Sequence, residues 1–257
     1  MKTRNRRSIG WSLRACCLFV VAVLLAGAAP AADMTLEQVL TKHFEAIGGE
    51  EAWKNVQSMR SVGKMVMGPM EAPMSITVVR PNKMRMEFEV QGMTAIQAYD
   101  GESGWQVMPF QGSTEPAPMD PEMVKNLEAE ADIEGPLVDY AAKGHEVELV
   151  GKEEFEGTEA YHVKITTKSG RDISYFLDAE YFVPIGRREK TTIPGMGEME
   201  VTTSISDYKE VGGLMIPHAM SGSTPMGEQS MTFSTIEIDA EIDESIFDMP
   251  AQEDGGE

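Results

Sequence analysis

From Met59 onward, apolar and polar residues alternate in short runs, and turn-forming residues separate these runs at regular intervals. Alternation with a period of two places every second side chain on the same face, as in a β-strand with one buried face. The first turn signals are Gly68-Pro69, Pro81-Asn82, Gln91-Gly92 and Asp100-Gly101. Short strands joined by tight turns predict an antiparallel meander.

The same pattern returns in the second half of the chain. It predicts further strands at about 145–153, 159–167, 172–178, 182–192, 198–208, 213–222 and 229–239. The total is about 11–12 strands, with no internal repeat and no long linker between them. We therefore expect an α+β fold in which helices interrupt one large antiparallel sheet.

Helical spacing predicts the remaining elements. Thr35 and Gln38 form a capping box before a helix at about 35–47, and a helical turn at about 51–56 follows with Trp53 packed inward. After a proline-rich break at 116–121, Asp120 is the expected N-cap of a helix that runs to about 132. A short helix is expected from about 137 to 144, and a last helical turn at 243–247.

The N-terminus has the composition of a secretory signal peptide. Residues 1–14 contain five basic residues and no acidic one, and residues 15–26 are apolar, followed by small residues up to Ala32. The apolar run is shorter than the roughly 20 residues that a bilayer span needs. We expect a signal peptide over 1–32, cleaved after Ala31 or Ala32, a single domain over 33–250, and a disordered acidic tail over 251–257.

Removal of the signal peptide changes both charge and cysteine content. The two cysteines, Cys16 and Cys17, leave with it, so we expect neither disulfides nor thiolate metal sites in the exported protein. Five of the 22 Lys and Arg also leave, so 17 remain against 42 Asp and Glu, a net charge of −25. Such an acidic protein is not expected to bind nucleic acid.

Methionine is abundant, with 20 residues, and many lie at period-two positions on neighbouring predicted strands. One interpretation is an ordinary core. The other is an adaptable apolar face for variable ligands, because the thioether side chain is flexible and polarisable. The candidate lining residues for such a cavity are Met65, Met67, Met84, Met86, Phe88, Met93 and Trp105.

Copper binding is a further alternative. The thioethers of Met65, Met67, Met70 and Met74 are soft ligands and flank one predicted turn, although no His or Cys lies among them.

The sequence offers little support for a histidine metal site or for catalysis. The four histidines, His43, His145, His162 and His218, lack metal-ligand spacing, and the common nucleophile and phosphate-binding motifs are missing. We expect no enzyme activity, no catalytic residue, no metal and no cofactor.

Several short motifs are spread over nearly all of the chain after the signal peptide. They are Val79-Arg80-Pro81-Asn82, Tyr99-Asp100-Gly101 with Trp105 and Pro109-Phe110, Ala46-Ile47-Gly48-Gly49, Leu149-Val150-Gly151-Lys152, Tyr175-Phe176-Leu177-Asp178, Ser206-Asp207-Tyr208-Lys209 and Ile216-Pro217-His218. Taken together, these motifs resemble the LolA-like family of periplasmic outer-membrane lipoprotein-sorting proteins.

The resemblance implies a half-barrel whose concave face is covered by helices and carries acyl chains of lipoproteins or other lipids through the periplasm. It assigns Arg80 to the contact between lid and barrel, and places the lid at residues 120–144. The chain differs from the family where Met84 and Met86 replace aromatic residues, which leaves the lipid open. The expected partners are membrane-bound donor and acceptor proteins in transient contact with a monomer. The alternative is a lipid-sensing regulatory module.

Overall fold

The computed structural model describes residues 34–193, 197–224 and 227–251. The predicted signal peptide lies outside these residues, as do residues 252–257 of the predicted tail. In the described ranges, no helix combines the length and apolarity needed to cross a bilayer.

Thirteen strands make up one open antiparallel sheet in the described part of the chain, consistent with a half-barrel. They are β1 (Ser58–Met67), β2 (Met70–Val79), β3 (Lys83–Val90), β4 (Met93–Tyr99), β5 (Gly104–Met108), β6 (Ser113–Pro118), β7 (Glu146–Phe155), β8 (Thr158–Thr166), β9 (Asp172–Asp178), β10 (Pro184–Ile193), β11 (Gly197–Val211), β12 (Leu214–Thr224) and β13 (Gly227–Ile238).

The sheet consists of two meanders. Strands β1 to β6 follow one another outward in one direction, strands β13 to β7 do so in the other, and β1 pairs with β13 at the centre. Consecutive strands therefore pair through short hairpins, as the alternation with turn residues predicts. The chain passes from β6 at one edge to β7 at the opposite edge, so residues 119–145 have to run across the sheet.

Within the described ranges, three α-helices accompany the sheet: α1 (Leu36–Ala46), α2 (Glu50–Asn55) and α3 (Pro121–Glu130). The capping box at α1 is confirmed, with the Gln38 amide donating to Thr35 Oγ1 and the Thr35 amide donating to Gln38 Oε1. Asp120 caps α3 by accepting from the Glu122 amide. At Gly48, where φ is +102°, a Cβ would lie 2.3 Å from the Gly213 carbonyl oxygen, so the turn after α1 needs glycine.

Two expectations about elements were wrong. The proline-rich stretch contains strand β6, which brings the number of strands to 13 instead of 11–12. Proline is tolerated there because β6 is an edge strand and needs hydrogen bonds on one side only. Residues 137–144 form turns and not a helix. The predicted turn at the C-terminus is confirmed as a 3-10 helix over Glu244–Phe247.

The helices and residues 131–144 contribute apolar side chains to clusters with the sheet. Val39 and Leu40 of α1 pack with residues of β8 and β9. Leu127 of α3 packs with Met84 and Tyr99 of β3 and β4. Trp53 of α2, buried as predicted, joins the cluster around Met74. These contacts anchor the connecting segments to the sheet by apolar burial.

Candidate functional site

The strand register brings the predicted methionines of β1, β2 and β3 to one face of the sheet. Met65 pairs with Ala72, Met74 with Phe88, and Ile76 with Met86. Directly paired residues in an antiparallel sheet share a face, and residues two apart along a strand do as well. We call this surface the methionine face.

Two methionines that sequence reasoning did not single out extend this face. Met220 of β12 pairs with Met231 of β13, and Met231 pairs with Met65 of β1. Three methionines therefore form a row across the centre of the sheet, where the two meanders join. The signal in the sequence was the period-two alternation of β12 and β13, but only the β1–β13 pairing brings them beside Met65.

The predicted lining residues differ in burial. Met84 and Phe88 are buried, and Met65 and Met86 are half-buried next to them. Met67 and Met93 lie at hairpin ends, where Met67 pairs with Met70 and Met93 with Val90, and Met93 is 37% exposed. The structure thus brings six of the seven residues to one face, two of them at its rim.

Trp105 does not join this group. It pairs with Ala98, whereas the methionine face continues on β4 through Gln97 and Tyr99, so Trp105 projects from the opposite face. Its Nε1 donates to the Phe247 carbonyl oxygen at 2.7 Å, and the Arg85 guanidinium lies 5.4 Å from its ring centroid. These contacts anchor the C-terminal 3-10 helix, so the expected place of Trp105 among the lining residues was wrong.

The four methionines considered as copper ligands also lie on this face. Met67 pairs with Met70 at the end of the β1–β2 hairpin, and Met65 lies two residues before Met67. Met74 is only 4% exposed and packs with Phe88 and Trp53 in the apolar cluster. Hydrophobic packing therefore already accounts for the burial of Met74.

The chain's own side chains pack against the methionine face. Leu127 and Ala131 pack with Met84, and Val138 belongs to the cluster around Met74. Surface depressions are found at the β1–β13 pairing and at the β7–β8 hairpin. The first, of about 290 Å³, is lined by residues 63–64 and 232–234, and the second, of about 200 Å³, by Lys152, Glu153, Glu154 and Glu159. Side chains of the 120–144 segment therefore occupy part of the methionine face.

Arg80 connects this segment to the sheet. It directly follows β2, its Nε donates to the Val56 carbonyl oxygen at 2.5 Å, and one Nη donates to the Trp53 carbonyl oxygen at 3.0 Å. The same terminal nitrogen forms an ion pair with Glu134, whose side chain is only 7% exposed. Glu134 was not among the predicted residues, because nothing in the sequence relates it to a position 54 residues away.

The ion pair continues into a small network. Lys143 Nζ lies 3.1 Å from Glu134 Oε1 and 2.7 Å from Asp132 Oδ2. Burial acts to raise the pKa of Glu134, but hydrogen bonds and charges from Arg80 and Lys143 outweigh it and leave that pKa lowered. For Asp132, burial prevails over Lys143 and raises the pKa. The network therefore holds a charged Glu134 between two cations.

Three of the four histidines lie away from this face: His43 is on the buried side of α1, His145 precedes β7 and His162 is on β8. His218 of β12 lies two residues before Met220 and therefore on the methionine face, where it is buried with Nδ1 3.0 Å from the Ile216 carbonyl oxygen. Within the described ranges, no group of three or more His, Cys, Asp or Glu side chains is arranged to hold a metal ion.

Solved structures share this architecture. A DUF1329 family protein from Desulfovibrio piger has a TM-score of 0.56 and 11% identity, over 82% of this chain and 96% of its own. A LolA superfamily protein from Nitrosomonas europaea has a TM-score of 0.54 and 13% identity, over 84% and 98% of the two chains. The chain has a LolA-like fold.

A third solved structure has a similar fold. A domain assigned to outer membrane lipoprotein sorting, from Vibrio parahaemolyticus, has a TM-score of 0.52 and 12% identity, over 82% of this chain and 94% of its own. No family model matches the sequence, and no curated protein matches it significantly. The likeness therefore rests on the three-dimensional arrangement of the LolA-like sheet.

Proposed function

We propose that this protein is a periplasmic carrier that binds acyl chains of lipoproteins or other lipids on its methionine face and carries them towards the outer membrane. The observation that carries the proposal is the Arg80–Glu134 ion pair, because it ties the segment packed over the methionine face to the sheet. Likeness to a domain assigned to lipoprotein sorting supports it. The helices and residues 131–144 would then cover the concave side of a half-barrel.

The methionine face is suited to burying an acyl chain. Each CH2 group of an acyl chain costs roughly 0.8 kcal/mol in water, so a C16 chain requires on the order of 12 kcal/mol of apolar burial. Eight methionines belong to the cluster around Met74 or pack against it, which offers a deformable apolar surface. The acyl chain would replace Leu127, Ala131 and Val138 as the partner of this surface.

The exported protein would bind and release its ligand without catalysing a reaction. Its donor and acceptor would be membrane-bound proteins that it contacts transiently as a monomer. Mass spectrometry of natively purified protein and titration with a fluorescent fatty acid test the proposal. We expect either co-purified lipid or saturable binding, and failure to detect both would contradict the carrier function.

The role of the Arg80–Glu134 ion pair is tested with the Arg80→Leu variant. Loss of the guanidinium removes a charged hydrogen bond to Glu134, and Lys143 keeps that carboxylate paired, so the fold should persist while the 120–144 segment opens more often. A charged hydrogen bond of about 1.5–3 kcal/mol corresponds to roughly tenfold or more in opening. We expect faster amide exchange over 121–144 and tighter apparent binding of the fatty acid, since more molecules are competent to bind.

Arg60→Leu is the matched control. Arg60 is an exposed arginine on β1 and pairs with Thr77 and Glu237, on the face opposite the methionines. It should leave both exchange and affinity as in the wild type. If Arg80→Leu behaves like Arg60→Leu, Arg80 does not control access to the methionine face.

A further inference from the structure

A second charged cluster lies on the same side of the sheet as the methionine face, on strand β10. Arg187 pairs with Tyr175 of β9 and Thr203 of β11, and β11 continues with Ile205 beside Met220. The next residue, Arg188, projects from the other face, where its guanidinium lies 5.0 Å from the Phe176 ring centroid. Two adjacent arginines thus face opposite sides of one strand.

Arg187 is held by carboxylates from two different parts of the chain. One terminal nitrogen lies 2.5 Å from Glu189 Oε1 on its own strand. The other lies 3.5 Å from Glu130 Oε1 in the last turn of α3. Glu189 is also bound by Arg171 at 2.6 Å. Arg187 therefore shares its strand partner with a second arginine, and its other partner belongs to the segment that has to move.

One nitrogen of this guanidinium has no partner. Arg187 Nε is buried and makes no hydrogen bond with any residue in the described ranges. A buried donor without an acceptor is costly, and native proteins rarely retain one without a reason. The neighbouring Tyr175 has its pKa raised by burial, so its hydroxyl keeps its proton near neutral pH. The guanidinium of Arg187 thus has one N–H donor that its surroundings leave unsatisfied.

The charged side chains in these ion pairs carry opposite net charges on the sheet and on the 120–144 segment. On the sheet side are Arg80, Arg171 and Arg187 against Glu189, a net charge of +2. On the segment side are Glu130, Asp132 and Glu134 against Lys143, a net charge of −2. When the segment moves away, Arg80 loses Glu134 and Arg187 loses Glu130, and Glu189 remains as the shared carboxylate partner of Arg171 and Arg187.

We propose that the ligand is an anionic amphiphile whose carboxylate or phosphate headgroup replaces Glu130 at Arg187 while its acyl chain lies on the methionine face. This inference rests on the proposed carrier function and adds the headgroup class to it. The substitution exchanges one anionic contact for another, so Arg187 keeps two anionic partners in a partly buried site, the headgroup and Glu189.

The test compares ligands that differ only in headgroup charge. Oleate and methyl oleate share one acyl chain, and so do dioleoylphosphatidylglycerol and dioleoylphosphatidylcholine, presented as vesicles. Binding is measured for the full exported chain, its Arg187→Gln variant and its Arg188→Gln variant. The Arg188→Gln variant is the matched control, because it removes the same charge from the adjacent position on the opposite face.

We expect the wild type to prefer an anionic ligand over its uncharged or zwitterionic counterpart by about tenfold, the value of one charged hydrogen bond. Selection of oleate identifies a carboxylate, and selection of phosphatidylglycerol alone identifies a phosphate. Arg187→Gln should remove the preference while methyl oleate binds as before, and Arg188→Gln should retain it. If Arg187→Gln does not fold, Arg187→Lys should keep a reduced preference.

The remaining outcomes would contradict either the headgroup inference alone or the carrier function as well. Equal affinity of the wild type for the charged and uncharged ligands overturns the headgroup inference and leaves the carrier function standing. Persistence of the preference in Arg187→Gln also overturns it, because the headgroup would then bind elsewhere. No binding of any of the four lipids overturns the carrier function and with it the headgroup inference.

Discussion

At the residue scale, His43 shows how burial fixes a protonation state. Its side chain is 3% exposed on α1, and Nδ1 lies 2.9 Å from the Phe182 carbonyl oxygen. A carbonyl oxygen only accepts, so Nδ1 carries the proton of the neutral ring. Burial lowers the pKa of His43 from 6.5 to about 4, even though the hydrogen bond to Phe182 acts to raise it. The uncharged ring of His43 therefore links α1 to the β9–β10 connection by a hydrogen bond.

This state predicts a loss of stability in mild acid. Below pH 6.5 the unfolded chain takes up a proton at His43 that the folded chain accepts only near pH 4, so stability falls as the pH drops through this window. Between about pH 7 and pH 4.5 the contribution amounts to roughly 2 kcal/mol. Urea unfolding of the wild type and His43→Gln should show that the wild type loses this much more than the variant. Parallel pH profiles of the two proteins would refute the assignment.

At the element scale, the C-terminal 3-10 helix over Glu244–Phe247 closes the face opposite the methionines. Phe247 is fully buried, and its carbonyl oxygen accepts from Trp105. Arg85 donates to the Ile246 carbonyl oxygen at 2.6 Å, and Lys83 pairs with Glu244 at 2.7 Å. A single turn has little stability of its own, so these contacts with β3 and β5 are what hold it.

Phe247→Ala should therefore reduce the free energy of unfolding by about 3 kcal/mol or more, as expected for truncating a fully buried aromatic side chain. Met249→Ala is the control two residues later. Its side chain is 43% exposed, and the change should cost less than about 0.5 kcal/mol. Equal effects of the two substitutions in urea unfolding would show that the 3-10 helix is not docked through Phe247.

At the scale of the whole molecule, the order of the strands requires the chain between β6 and β7 to run across the sheet. Strands β6 and β7 are the two edges, and the chain between them contains α3 and residues 131–144. This connection is held by the Arg80 and Arg187 ion pairs and by the contacts of Leu127 and Val138. Helix α1 packs against the β8 and β9 cluster through Val39 and Leu40, and Leu137 of the connection belongs to the same cluster.

The contacts with the methionine face predict a localised response to ligand. Saturating oleate should increase amide exchange in residues 121–144, because the acyl chain takes over the contacts that this segment makes with the methionine face. Residues 36–46 should keep their protection, since Val39 and Leu40 of α1 also pack against Tyr161, Val163 and other residues of β8 and β9, which do not move. Hydrogen exchange measured by mass spectrometry with and without oleate tests this. Increased protection throughout 121–144 would mean that the ligand binds without displacing the segment.

Local chemistry in the sequence was sufficient for most of the elements. The caps at Thr35 and Asp120, the turn glycines and the period-two alternation located the helices and nearly all of the strands, because each depends on residues only a few positions apart. Strand β6 was missed because its prolines are compatible with a strand only at a sheet edge, and the edge is defined by the other twelve strands.

The candidate site also combines features that the local sequence shows with features that depend on long-range contacts. The amino-acid pattern alone shows that methionines alternate on neighbouring strands and that Arg80 precedes a turn. The folded chain was needed to show that Met220 and Met231 extend the row, that Trp105 faces the other side, and that Glu134 and Glu130 reach the two arginines. Hydrophobic periodicity is a local property of the sequence, whereas strand pairing and ion pairs join residues that are far apart in the sequence and meet only after folding.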